Sequence, residues 1–361
     1  KPKHLYEELS FMDWAFIVFL GINVISTLLS ANPLDALMGT QGRNNGLVLM
    51  AFYTAAYFMI TRCFKYFEYI FVALAFGSMI VFALAVLNSF YIDPLGMFTL
   101  LTDQQTITDF TSTIGNKNLL SSYICIAMPV MIAMSVITKK TLLRAIYLVA
   151  TGFGFAALMT ADSDSGILGM AVFMIIYLVW KRFFLSATVM LLFAKLLRLF
   201  SLCFDDKSKG FDKFQEIFVF SGIGWILLAA CAVITGILYL IDYKKPNITI
   251  SKAVPIALAV VFGLCAVAMI GIMVYFSCID TKTDLGSFER IIRFNDIWGT
   301  HRGFMWIRSI WIFGDASFIE KLFGVGLDMF YSAFSPYFDD LSKYGDSSTN
   351  AAHNEYLNYL I

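Results

Sequence analysis

Long apolar runs and short polar connectors alternate along this chain up to about residue 277, and then the pattern changes. A helix that crosses a bilayer needs about 20 consecutive, mostly apolar residues. On that criterion the pattern predicts spans over 12–30, 46–61, 68–88, 118–137, 142–160, 166–180, 184–203, 217–241 and 253–277, about nine in all. Segment 166–180 is short, and 184–203 carries Lys195 and Arg198. Between Cys278 and Ala352 the apolar run gives way to about 75 mixed residues. A further apolar helix then opens near His353. The predicted fold class is therefore all-α and integral to a membrane. It has a transmembrane bundle over 1–277, one long external loop over 278–352 that is partly helical within 286–313, and the start of another span at 353–361. The abrupt beginning at Lys1 and the stop at Ile361 in mid-pattern lead us to expect further helices at both ends.

Charge fixes the expected orientation. Cytoplasmic connectors carry an excess of Lys and Arg. Arg62, Lys65, Lys139, Lys140, Arg144, Lys181, Arg182, Lys244, Lys245 and Lys252 fall at every second connector, as alternation requires. Lys1 and Lys3 agree with them. The segments near 31–45, 89–117, 161–165 and 204–216, with the long loop, are then external. Within 89–117, Asp93-Pro94 reads as a turn and is followed by a run of Thr, Asp and Gln.

Composition agrees with the pattern and narrows the function. Of 361 residues, 59% are hydrophobic and 14% charged, and mean hydropathy is +0.75. Soluble domains average about 45–50% apolar and about 25% charged. Net charge is zero, so no nucleic-acid partner is suggested. The cysteines Cys63, Cys125, Cys203, Cys231, Cys265 and Cys278 form no CxxC and no Cys/His cluster. Neither a structural metal site nor a disulfide framework is expected, and no cofactor is called for.

The chemistry-bearing residues gather on the side read as external. The first loop holds Gly39-Thr40-Gln41-Gly42-Arg43-Asn44-Asn45-Gly46, and the second ends Gly115-Asn116-Lys117-Asn118 at a helix start. The third is Asp162-Ser163-Asp164-Ser165-Gly166, and the long loop supplies Arg290, Arg293, Arg302, Arg308 and then His353. Arginine presents a planar fork to phosphate oxygens and keeps its charge beside a membrane. A helix start such as Asn116-Lys117-Asn118 adds backbone N–H groups and the positive end of a dipole. Together they suit a lipid-linked phosphate or pyrophosphate, although any one arginine could equally meet lipid headgroups. His353 could take a proton from a sugar hydroxyl, or it could simply be a polar residue opening a helix. Asp162 and Asp164 could act as a base or form a polar turn. Lys195 and Arg198 lie on one face of a predicted span, where charge is a functional signal, with snorkelling to the outer surface as the alternative.

Several of these pieces resemble the O-antigen ligase and O-antigen polymerase superfamily. They are Ser30-Ala31-Asn32-Pro33 with Gly42-Arg43-Asn44-Asn45-Gly46, then Gly115-Asn116-Lys117-Asn118-Leu119 with Pro129 in the following helix. Next come Arg302-Gly303-Phe304-Met305-Trp306, Phe323-Gly324-Val325-Gly326-Leu327-Asp328-Met329-Phe330 and His353-Asn354-Glu355-Tyr356-Leu357. The resemblance covers nearly the whole chain. It implies a metal-independent, inverting integral-membrane glycosyltransferase of the C type. Such an enzyme moves a glycan from an undecaprenyl-pyrophosphate carrier to a glycan, lipid or protein acceptor hydroxyl, at the outer face of the bacterial cytoplasmic membrane. By the same resemblance Arg43, Arg290 and Arg302 would contact the donor pyrophosphate, and His353 would activate the acceptor; the helix start at Asn116 and Lys117 is a further candidate for substrate binding. One departure stands out. Many members carry Ser-Arg-Gly where this chain has Asp162-Ser163-Asp164-Ser165-Gly166. Two other classes compete. One is a transporter or flippase of lipid-linked glycans, in which broken helices and midplane polar sites are expected. The other is a peptidoglycan polymerase of similar architecture, which should lack the His-Asn-Glu-Tyr ending.

Overall fold

The computed structural model describes residues 9–40, 43–101, 107, 110–177, 183–204, 213–244 and 253–361. Every regular element among them is helical. In chain order they are α1 (Phe11–Leu29), α2 (Pro33–Met38), α3 (Leu47–Cys63), α4 (Glu68–Ser89), α5 (Lys117–Ile137), α6 (Thr141–Thr160), α7 (Asp164–Tyr177), α8 (Phe183–Leu202), α9 (Lys213–Val219), α10 (Gly222–Lys244) and α11 (Ala253–Val274). Shorter pieces follow: α12 (Glu289–Ile292), α13 (Trp298–Asp315), α14 (Phe318–Phe323), α15 (Phe330–Phe334), α16 (Phe338–Ser342) and α17 (Glu355–Leu360). Six of the helices are long and apolar enough to cross a bilayer: α1, α4, α5, α6, α8 and α10, the last over Gly222–Ile241. The protein is thus a polytopic helical membrane protein. α3 and α7 are apolar but shorter, and the predicted span 217–241 is broken between α9 and α10.

The chain forms two compact units, one of residues 67–263 and the other of residues 1–66 with 264–361. In the first, α6 is the central helix and packs against α4, α5 and α8. Its sequence explains this position. Ala150, Gly152, Gly154, Ala156 and Ala157 leave room for neighbours, and small residues are what let apolar helices approach closely. A Cβ on Gly152 would sit 2.3 Å from the Phe193 ring, and one on Gly154 would sit 2.7 Å from the Met128 side chain. Phe82, Leu120, Ile124, Met128, Tyr147 and Leu158 close the core around it.

In the second unit α1 packs against α3. Asp13, at the start of α1, accepts a 2.6 Å hydrogen bond from Arg62 in the last turn of α3. The rings of Phe16 and Tyr57 stack at 4.0 Å. The long polar segment belongs to this unit and folds on its own small core of Phe304, Met305, Phe330, Phe334, Leu341 and Ala352. The helical part expected within 286–313 consists of α12 and α13, the latter running on to Asp315. Gly299, Thr300 and His301 at the start of α13 have positive φ, so the continuous helix begins at Arg302. Gly303 is required there, because a Cβ would lie 1.9 Å from the Asn295 carbonyl oxygen.

Candidate functional site

Two of the long segment's arginines are consumed by the fold. Arg293 forms an ion pair with Glu289 and donates to the carbonyls of Phe276 at 3.1 Å and Thr283 at 2.7 Å, which ties the exit of α11 to α12. Arg308 grips Asp296 with both Nη atoms, one at 2.9 Å. Its guanidinium stacks on Phe304 at 3.9 Å and on Trp311 at 4.8 Å. Tyr344 donates to the same carboxylate at 3.2 Å. Of the predicted donor contacts, Arg290 lies on α12, and its side chain is outside the described residues. Arg302 is different. It is exposed, and no described residue engages it in a hydrogen bond or ion pair.

Arg302 acts on His353. The imidazole is held below its ordinary pKa of 6.5, first by desolvation in the surrounding protein and then by the charges of Arg302 and Arg43, against an opposing pull from Asp346. His353 therefore favours the neutral form, in which a ring nitrogen can accept a proton. Its backbone is left-handed, at φ 51°. The flanks are locked: Ala351 and Ala352 are buried. The Ala352 carbonyl accepts from Trp306 Nε1 at 2.9 Å, and its N–H donates to Asn358 Oδ1 at 2.8 Å. Asn354, not His353, is the cap of α17, accepting from Tyr356 N at 3.0 Å. Asn44, Thr300, His301, Asp328 and His353 all share positive φ in this unit. Such strained residues cost about 1–3 kcal/mol each and persist where the surroundings enforce them, often at functional sites.

The Arg43 loop is closed by glycines at both ends. A Cβ on Gly46 would lie 2.3 Å from Gly39 N, and one on Gly39 would lie 2.4 Å from the Asn44 backbone. Gln41 and Gly42 are outside the described residues. Arg43 Nη1 donates to the Asn350 carbonyl at 3.1 Å, three residues before His353. Asp328 fastens the loop. Its Oδ2 accepts from Thr40 N at 2.8 Å, Thr40 Oγ1 at 2.9 Å and Asn45 N at 3.2 Å. Sequence reasoning did not select Asp328. The signal was its place at the end of Gly324-Val325-Gly326-Leu327-Asp328. In that stretch a Cβ on Gly326 would sit 2.4 Å from Ser30 Oγ, and Val325 N donates to Ile361 O at 2.7 Å. The stretches Ser30–Pro33, Arg43–Gly46, Arg302–Trp306, Phe323–Phe330 and His353–Leu357 thus share one unit.

Two cavities flank the Arg43–Asn350 contact. One, of about 310 Å³, is lined by Arg43, Asn45 and Asp328 and by Asn23, Ile22 and Phe19 of α1. The other, open and about 550 Å³, is lined by Thr40, Tyr331, Ser348, Thr349, Asn350 and His353. The first joins a cation to the apolar flank of a spanning helix. The second presents hydroxyls, an amide and an imidazole.

The remaining candidates lie in the other unit. Asn116 caps α5, accepting from Asn118 N at 2.9 Å and Leu119 N at 3.2 Å. Lys117 is 3.2 Å from Asp162, both partly exposed. Asp162 has φ 50°, Ser163 donates to Asn118 Oδ1 at 3.0 Å, and Asp164 opens α7. Lys195 does not snorkel to a surface, as one reading expected, because it is 1% exposed. Its ammonium donates to the carbonyls of Val219 at 3.0 Å and Ser221 at 2.9 Å, while Arg198 donates to that of Phe220. The two cations fill the break between α9 and α10. Comparison with known protein families, with characterised proteins and with solved structures finds no match.

Proposed function

We propose that the protein is a membrane glycosyltransferase of the O-antigen ligase and polymerase type. It moves a glycan from an undecaprenyl-pyrophosphate donor to an acceptor hydroxyl on the outer side of the bacterial cytoplasmic membrane. The observation that carries this reading is Arg302. It is an exposed guanidinium with no described partner, and with desolvation as the larger cause its charge and that of Arg43 hold the His353 imidazole below its ordinary pKa. An uncommitted cation near a base that favours its neutral form suits a reaction in which a hydroxyl loses its proton while an anion departs. The acceptor oxygen attacks the anomeric carbon and inverts it. His353 takes the hydroxyl proton. The bond from the anomeric carbon to the pyrophosphate oxygen breaks, and Arg302 and Arg43 meet the charge that collects there. The cavity from Arg43 to Phe19 suits a phosphate with an apolar tail, and the one at His353 suits the acceptor.

Donor binding and transfer, measured separately on one purified protein, test this reading. His353→Ala should lower transfer by about 10²-fold or more and leave donor binding largely intact. Arg302→Ala should weaken donor binding and transfer together, and Arg302→Lys should rescue little because the bidentate fork is lost. Transfer near the wild-type rate in His353→Ala would overturn the assignment of the base. A transporter reading draws on one observation, the discontinuous α9–α10 with cations at its break. Reconstituted protein that translocates lipid-linked glycan without forming product would favour it.

A further inference from the structure

α14 is too short to span a membrane, and α13 is too polar, yet together they present a wide apolar surface. Phe318, Ile319 and Leu322 are 76%, 55% and 56% exposed. At spacings i, i+1 and i+4 they share one face of α14. Ile310 and Trp311, near the end of α13, are 54% and 50% exposed. Two nearby charges, Lys321 and Glu320, are engaged by the chain itself. Lys321 Nζ donates to the Gly314 carbonyl at 2.7 Å and lies over the Phe313 ring. Glu320 turns back to accept from Ser317 N at 2.7 Å as half of a capping box.

The depth of this surface follows from what α14 packs against, which is the last turns of α1. A Cβ on Gly324 would lie 3.6 Å from Ser26 Oγ, and Lys321, Leu322 and Phe323 line the same cavity as Ile22, Asn23 and Ser26. At a rise of 1.5 Å per residue, Ser26 lies about 4–5 Å inside the end of α1 and Ile22 about 10 Å. α1 is a spanning helix, and its residues at that level, Ile25, Leu28 and Leu29, are themselves exposed apolar side chains. An apolar face at the depth of a lipid-facing turn meets lipid.

We propose that α14 and the end of α13 lie in the membrane interface, with Phe318, Ile319, Leu322 and Trp311 against the acyl chains of the leaflet in which α1 ends. The occupant is lipid rather than a second protein because the face continues the level of the lipid-facing flank of α1. Trp311 and Lys321 have the chemistry of interfacial anchors: an amphipathic ring at headgroup level and an ammonium withdrawn from the chains. The long segment would then be moored at the membrane as well as through its chain connection, holding the Gly324–Asp328 stretch and Arg43 near headgroup level. This proposal does not depend on the glycosyltransferase reading.

Site-directed spin labelling tests it on the full chain in bilayers of phosphatidylethanolamine and phosphatidylglycerol. The six native cysteines are replaced, and single cysteines are placed at Phe318 and Leu322, at Leu28 as a lipid reference and at exposed Ser342 as a water reference. The labels at 318 and 322 should be more accessible to dissolved oxygen than to a polar nickel chelate, as at 28 and the reverse of 342. Preferential nickel access at both would place the face in water and overturn the proposal. Low access to both reagents would show a protein cover and overturn it equally. Should the labelled variants fail to insert, the wild type and Trp311→Phe can be compared in lipids brominated near the headgroup end of the chains. A loss of quenchable fluorescence in Trp311→Phe is expected, and equal quenching would overturn the proposal.

Discussion

Arg302 and Arg308 stand six positions apart, and nothing in their spacing or type tells them apart, yet the fold uses one and leaves the other open. Arg308 is spent on Asp296, Phe304 and Trp311. Arg302, held at the start of a helix by a left-handed turn, is not spent on any described residue. An open cation of this kind should contribute about 1.5–3 kcal/mol to an anionic ligand, so Arg302→Ala should cost roughly 10–150-fold in transfer. Arg308→Ala should instead show up as lost folded protein. The His353 environment makes a pH prediction. The folded pKa lies below 6.5, so the neutral base survives to lower pH and the acid limb of the rate profile should have its midpoint below 6.5. Arg302→Gln removes a depressing charge and should move that midpoint up, whereas Asp346→Asn removes an opposing charge and should move it down. A limb at or above 6.5 in the wild type would mean that His353 is not the titrating group. Asp328 is a positioning residue for Arg43. Asp328→Ala should reduce transfer about as much as Arg43→Ala, and the double variant should be no worse than either, as for residues acting through one contact. Additive losses in a double-mutant cycle would separate the two. The candidate arginines and His353 stand out in the sequence by residue type and order. Asp328 could not, because its role depends on backbone N–H groups more than 280 positions away.

At the scale of elements, hydropathy located the long helices well. The expected spans 12–30, 68–88, 118–137 and 142–160 correspond to α1, α4, α5 and α6 within a residue at each end. It placed the start of the 217–241 span five residues early, since the spanning helix runs over Gly222–Ile241. There the run is largely apolar, and the carbonyls at the break between α9 and α10 are met by cations on another helix that composition within the window cannot report. Lys195 fills that break, so Lys195→Met should leave the Val219 and Ser221 carbonyls without their donor. At about 1–3 kcal/mol for each buried unsatisfied acceptor, a loss of roughly 2–6 kcal/mol is expected in reversible unfolding from mixed micelles. An unchanged unfolding midpoint would show that the break holds without Lys195. α13 offers a second case. Its glycine at 303 could be read only as part of the Arg302–Trp306 stretch, but it passes so close to Asn295 that any side chain must push the helix start, and Arg302 with it.

At the scale of the molecule, alternation of lysines and arginines predicts which ends of the helices face the cytoplasm. Impermeant thiol reagent should label Ser342→Cys in intact cells and Lys139→Cys only after permeabilisation, and the reverse result would put the Arg302–His353 region on the wrong side for its proposed donor. The hydrogen bonds that fasten the Arg43 loop join residues far apart in the chain, 288 positions for Thr40 with Asp328 and 307 for Arg43 with Asn350. Ribosomes add about 5–20 residues per second, so roughly 15–60 s of synthesis separate the two halves of each contact. During that interval the first three helices are already made while Asp328, Asn350 and His353 do not yet exist. A nascent chain therefore carries the Arg43 loop unfastened until Asp328 and Asn350 have been added, and termination before Asn350 leaves that loop without its long-range hydrogen bonds.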